Sequence, residues 1–265
     1  MNSMNPELAE RIADALDRLA PPAPPEADAE SGRHFRWDGC RLSAVTSANA
    51  LPLERFAGVE IQKAALMQNV GALAKGAAAH DMLLWGARGM GKSALVRSVA
   101  EARSVALVQA AGDQLATLPD LFGRLEQNAR PFILFVDDLA FAATDPSVRL
   151  LRSVLDGGIA ERPANVRLAV TSNHRHLVER EATDARHARD STDDQLALVD
   201  RFGLVLGFHA PDQDCYLAMV RSHLGAEGLD FVPEDAIAFA LARGGRSGRT
   251  AWHYRTEVLS RKAAD

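Results

Sequence analysis

Gly86–Ser93, GARGMGKS, constrains this chain more than any other stretch. Three glycines, a lysine and a serine stand directly after the apolar run MLLW and directly before SALVRSVAEA, which has the spacing of a helix. The segment holds too much glycine for a regular element, and its surroundings are too apolar for a surface linker. A helix N-terminus leaves backbone N–H groups unpaired and carries partial positive charge. A glycine loop leading into it lets those groups curl around an anion. G-x-x-x-x-G-K-S between a strand and a helix is thus expected to cradle phosphate. Gly86, Ala87, Arg88, Gly89, Met90, Gly91, Lys92, Ser93 and Ala94 would contact the nucleotide, with Lys92 on the outer phosphates and Ser93 on Mg2+. Alone, the motif leaves kinase, GTPase, transporter and motor open.

The flanking pattern sets the fold class. Strand-like runs at 81–86, 104–109, 131–138, 166–173 and 203–210 alternate with helical patterns at 59–75, 92–103, 118–129 and 145–158. The run FILFV, apolar throughout, suits a strand covered on both faces. This alternation predicts an α/β fold with a five-stranded parallel sheet. Residues 211–265 carry no strand pattern and read as three helices, near 212–224, 234–243 and 248–262. Upstream, Leu8, Ile12, Leu16 and Leu19 recur at helical spacing, PPAPP stops that helix, and residues 33–46 look extended. The expected division is an N-terminal arm and linker (1–49), a nucleotide-binding domain (50–210) and a small helical domain (211–265).

Further residues narrow the chemistry. Asp137 and Asp138 close the third predicted strand. A carboxylate at that tip can hold a water on Mg2+, the role expected of Asp137, while Asp138 would activate the attacking water as general base. Asn173 ends the fourth strand in TSN. Taken alone it is a turn former; after an acidic strand it is a candidate to bind the lytic water or the γ-phosphate. Arg201, in DRFGL, is a candidate arginine finger or else a surface arginine paired with Asp200. Arg249 opens the last helix, where a cation is electrostatically misplaced unless an anion lies nearby. Arg246 is a weaker candidate of the same kind.

Composition excludes several classes. The chain has 265 residues, 47% hydrophobic and 25% charged, with formal net charge -5, so no global basic field points to nucleic acid. A local excess of basic residues at 243–262 leaves phosphate contact there open. No apolar run reaches the length of a membrane span, and the amphipathic, acidic N-terminus is unlike a signal peptide. Cys40 and Cys215 read as reduced thiols, which fits a cytoplasmic location. His174, His176 and His187 match no common zinc spacing. The polar stretch 179–194 reads as a solvated loop.

The order of these motifs resembles the AAA+ ATPases, with GARGMGKS as Walker A, FILFVDD as Walker B, TSN as sensor 1, DRF as the arginine-finger box and GRSGR as sensor 2. LLWGARGMGKSALV, RPFILFVDDLAF, VLDGGIAERPANVRLAVTSNHRHL, DRFGLVLGF, PDQDCYLAMV and RGGRSGRTA look more specifically like a bacterial family of small AAA+ proteins catalogued as a domain of unknown function. The likeness runs from about residue 50 to 262. It implies a P-loop core with a helical lid, ATP and Mg2+ binding, hydrolysis, and assembly into a ring or filament. It also implies that LERFAGVEIQKAALMQN closes over the adenine and that Arg201 acts on a neighbour's ATP. Most AAA+ proteins carry Asp-Glu at the strand tip. Asp137-Asp138 is the pattern of replication initiators and helicase loaders, and the shorter carboxylate implies slow turnover. Three functions follow as expectations: a self-assembling ATPase that remodels or loads a protein or nucleic-acid client, an ATP-gated adaptor with negligible hydrolysis, and a kinase, which the helical domain and the Asn173–Arg201 order disfavour.

Overall fold

A computed structural model describes residues 5–19, 26–46, 50–139, 146–157, 162–173 and 197–264. The PPAPP linker, the polar stretch 179–194 and His174, His176 and His187 lie outside the described residues.

A single sheet organises the chain. Its strands are β1 (His34–Trp37), β2 (Leu42–Ala44), β3 (Met82–Gly86), β4 (Ala106–Ala110), β5 (Phe132–Val136), β6 (Val166–Ser172) and β7 (Leu204–Phe208), in the spatial order β2-β1-β4-β5-β6-β3-β7. β2 runs antiparallel to β1, and every other neighbour pair is parallel. The sheet therefore has seven strands, where the sequence predicts five. The two additional strands come from the extended stretch after the proline linker. β1 buries Phe35 and Trp37 and exposes Arg36, and its Phe35 pairs in register with Val108 of β4. This pairing covers backbone that would leave β4 an open edge.

The helices are α1 (Pro6–Leu19), α2 (Glu60–Ala74), α3 (Lys92–Ala102), α4 (Leu118–Glu126), α5 (Pro146–Leu155), α6 (Gln213–Gly225), α7 (Pro233–Ala242) and α8 (Gly248–Ala264). β3 and β5 are buried at every position, as the unbroken apolar runs require. Their alternate side chains feed two cores. Phe132, Leu134 and Val136 join Leu121, Phe122 and Trp37 on one face, while Ile133 and Phe135 join Leu66, Leu95 and Val99 on the other. Burial on two faces by helices on both sides is the architecture of a doubly wound sheet. α6, α7 and α8 pack on one another, with Tyr216, Ala236, Ala240, Ala251 and Tyr254 buried among them. Among the described residues, no helix is long and apolar enough to cross a membrane.

The strand order decides where a ligand can bind. From β3 the chain leaves through α3 and passes over β6 and β5 to reach β4, while β7 lies on β3's other side. Crossovers on either side of one strand leave a crevice beyond its carboxyl end. The glycine loop stands at that end.

Candidate functional site

The loop turns because its glycines take backbone angles that side chains oppose. Gly86, Gly89 and Gly91 have φ of 122°, 75° and 85°. A Cβ on Gly86 would lie 2.1 Å from the carbonyl oxygen of Phe208, and Ala87 N–H donates to that same oxygen at 2.8 Å. β7 thus fixes the loop's entry, and Gly91 caps α3 at its exit.

Lys92 is 5% exposed. Its ammonium donates to Gly86 O and Ala87 O, both at 2.9 Å, and to Asn173 Oδ1 at 2.8 Å. Burial pushes its pKa down to about 8, against the pull of the Asp138 and Asp137 carboxylates. A buried cation held by carbonyls next to backbone N–H groups is arranged to meet an anion.

Asp137 follows β5 directly and gathers its neighbours. Its Oδ1 accepts from Ser93 Oγ at 2.5 Å and from Thr171 Oγ1 at 2.6 Å, and Arg97 pairs with Oδ2 at 3.4 Å. Asp138 is exposed at a φ of 53°, in the left-handed region that non-glycine residues seldom adopt. Its N–H donates to Thr171 Oγ1 at 2.8 Å, and its carboxylate accepts from Asn173 Nδ2. Backbone strain of this kind is held by the surrounding contacts and gathers at functional sites. Asn173 therefore bridges Lys92 to Asp138.

These groups line a cleft of about 710 Å3. Arg88, Gly89, Met90, Gly91, Lys92, Ser93 and Ala94 floor it, and Asp137, Asp138 and Asn173 stand at one side. The N-terminus of α8 closes over the loop, with Arg249 N–H donating to Gly89 O at 2.8 Å. Arg249 lines the cleft; Arg246 does not and is exposed. Phe56, Val59, Met219, His223 and Trp252 form a wall that is apolar apart from one imidazole.

Arg201 lies away from this constellation. Its guanidinium pairs with Asp156, holding that carboxyl below its ordinary value, and donates to Ala197 O. Asp200, the partner suggested by sequence adjacency, is not the one used.

Thr171, Arg97, His223 and Phe56 line the cleft and were not singled out from the sequence as site residues. Thr171 lies on β6 two residues before Asn173, which directly follows the strand, so the period-2 spacing points to the same face. Arg97 follows Ser93 by four positions on α3, and His223 follows Met219 by four on α6; both spacings place side chains on one helical face. Phe56 falls within the segment expected to cover adenine, and its ring lies 3.5 Å from where a Cβ on Gly91 would be.

Comparison with known proteins agrees with this picture. The family model described as "Protein of unknown function (DUF815)" matches residues 30–262, and the chain belongs to that family. No curated protein matches. Among solved structures, the Thermotoga maritima RuvB Holliday junction branch migration motor is similar at 19% identity and a TM-score of 0.54, covering 79% of this chain and 64% of that one. A mutant of the same RuvB is similar at 17% identity and a TM-score of 0.55, with the same coverage of 79% and 64%. The match thus spans just under two thirds of those chains. What it carries is the fold alone.

Proposed function

We propose that this DUF815 member binds ATP with Mg2+ in the cleft, hydrolyses it slowly, and assembles with further copies to remodel or load a protein or nucleic-acid client. One observation carries the reading. The buried Lys92 ammonium is held by Gly86 O and Ala87 O at 2.9 Å, inside a loop whose glycines alone permit its path. The apolar wall beside this anion site fits a flat heterocycle, and the two together favour a nucleotide over a simple phosphate ester.

The donor set fits Mg2+. Ser93 Oγ and the Asp137 carboxylate are hard oxygen ligands, and a magnesium site needs only one or two from protein when phosphates supply others. Among the described residues there is no group of three His, Cys, Asp or Glu side chains, the pattern a softer metal would use. Ser93 and Asp137 would hold the ion, which supplies charge neutralisation along the polyphosphate. Lys92 neutralises the outer phosphates, Asp138 takes a proton from the attacking water, and Asn173 fixes the direction of that carboxylate. Arg201, turned away from its own chain's cleft, acts on the ATP of a neighbour. Residues 211–265 serve as a lid that reports through Arg249, residues 50–210 hold the nucleotide, and residues 1–49 carry an arm. A cytoplasmic location fits this reading, since ATP is available there.

A second reading keeps ATP binding and drops hydrolysis, making the protein a gated adaptor. The engagement of Asp138 by Asn173 favours it, since that carboxylate is partly occupied. Calorimetry with ATP and Mg2+ tests what both readings share. Wild-type protein should bind, and Lys92→Ala should bind about tenfold to a hundredfold more weakly, the worth of one or two charge-assisted hydrogen bonds. A folded wild-type protein that gives no heat at millimolar ATP refutes both.

A further inference from the structure

Among the described residues on the cleft's apolar wall, His223 is the side chain that carries both a hydrogen-bond donor and an acceptor. The residue is 6% exposed and lines the cleft. Its Nδ1 is enclosed without a hydrogen-bond partner. The ring meets Trp252 edge-on, with centroids 5.4 Å apart. An unmet buried polar group is costly, so a fold that keeps one is bearing a cost that a ligand can remove. Burial and the neighbouring Arg55 and Arg255 hold the imidazole in its neutral form. A neutral imidazole brings one donor and one acceptor. An inorganic polyphosphate gripped by the loop offers acceptors only, whereas a nucleobase edge offers both donors and acceptors, in its ring nitrogens and exocyclic groups.

We propose that His223 is a base-reading residue: it hydrogen-bonds the heterocycle of the bound nucleotide and so separates nucleotides from bare polyphosphates. The inference rests on the nucleotide reading above. Lys92 and the loop grip the phosphates, and the α6–α8 wall, through His223 and Trp252, selects what the phosphates are attached to. Met219, one turn from His223 on α6, completes the face on which the base lies.

Calorimetry of wild type, His223→Leu and His223→Gln with ATP and with inorganic tripolyphosphate tests this, with thermal melts checking that each variant folds. His223→Leu should weaken ATP binding about tenfold and leave tripolyphosphate unchanged, and His223→Gln should recover part of the ATP loss. Unchanged ATP affinity in His223→Leu overturns the proposal. Equal weakening of both ligands also overturns it, because His223 would then only shape the cleft. Wild type that binds neither ligand overturns the nucleotide reading itself, an outcome distinct from the other two. If the variants do not fold, nitrogen-15 spectra of the wild-type histidines decide. The imidazole still neutral at pH 5.5 should shift with ATP and stay put with tripolyphosphate; a signal unmoved by ATP counts against the inference.

Discussion

At the residue scale, the cleft depends on a few side chains held in unusual states. Asp138 sits at a φ of 53° with its carboxylate tied to Asn173, while Asp137 is engaged by Ser93, Thr171 and Arg97. The two carboxylates therefore have different surroundings and suit different tasks. If Asp138 is the base, Asp138→Asn should leave ATP binding within about twofold and lower turnover by about 10²–10⁴-fold, the usual range for a lost general base. A steady-state phosphate-release assay reads this, and unchanged turnover would favour the adaptor. His223 makes a separate prediction about stability. Burial, then Arg55 and Arg255, depress its pKa from 6.5 to about 4. Glu227 also faces this corner, paired with both arginines. A histidine with a lowered folded-state pKa binds fewer protons folded than unfolded. Its contribution is full above pH 6.5 and is lost as pH falls toward 4. Between pH 7 and pH 4.5, wild type should lose about 2–3 kcal/mol more stability than His223→Leu, measured by urea unfolding.

At the element scale, the strand–loop–helix from Met82 to Ala102 was legible because its signals are local: an apolar run, three glycines and a helix start. The same holds for β5, where apolar residues end abruptly in two aspartates. β1 and β2 were not assigned as strands because four and three residues give a period-2 pattern too little length, and the strand that ties the pair to the sheet, β4, lies about 70 residues downstream of β1. Arg97, Thr171 and His223 stood one helical turn or one strand repeat from recognised or cleft-lining positions. Their chemistry becomes visible only when α3, β5, β6 and α6 converge. The N-terminal hairpin is nonetheless part of the core. Trp37 is fully buried, its Nε1 donates to Thr117 Oγ1 at 2.9 Å, and Arg124 lies over its ring at 5.2 Å. Trp37→Ala should cost about 3–5 kcal/mol, read as a drop in the urea midpoint. A loss below about 1 kcal/mol would mean that the hairpin is an appendage to the sheet.

At the scale of the whole molecule, the placement of Arg201 decides between a self-sufficient enzyme and an assembly. Its guanidinium is turned to Asp156 and Ala197 and lines no part of its own chain's cleft. If Arg201 is an arginine finger, it serves a site on another copy, which requires a head-to-tail interface, the type that closes into rings or extends into filaments. Two inactive variants then become complementary. Lys92→Ala removes the grip on ATP but keeps the arginine, whereas Arg201→Ala binds ATP but offers no arginine to its neighbour. Mixed in equal amounts, half of the subunits retain a binding site, and half of those face a neighbour with an intact Arg201. The mixture should recover about a quarter of wild-type turnover, although each variant alone is nearly inactive. Dilution should abolish the recovery, because the interface is lost before the fold. If Arg201→Ala alone turns over ATP at the wild-type rate whatever its concentration, the guanidinium serves only Asp156, and the case for assembly through this residue ends there.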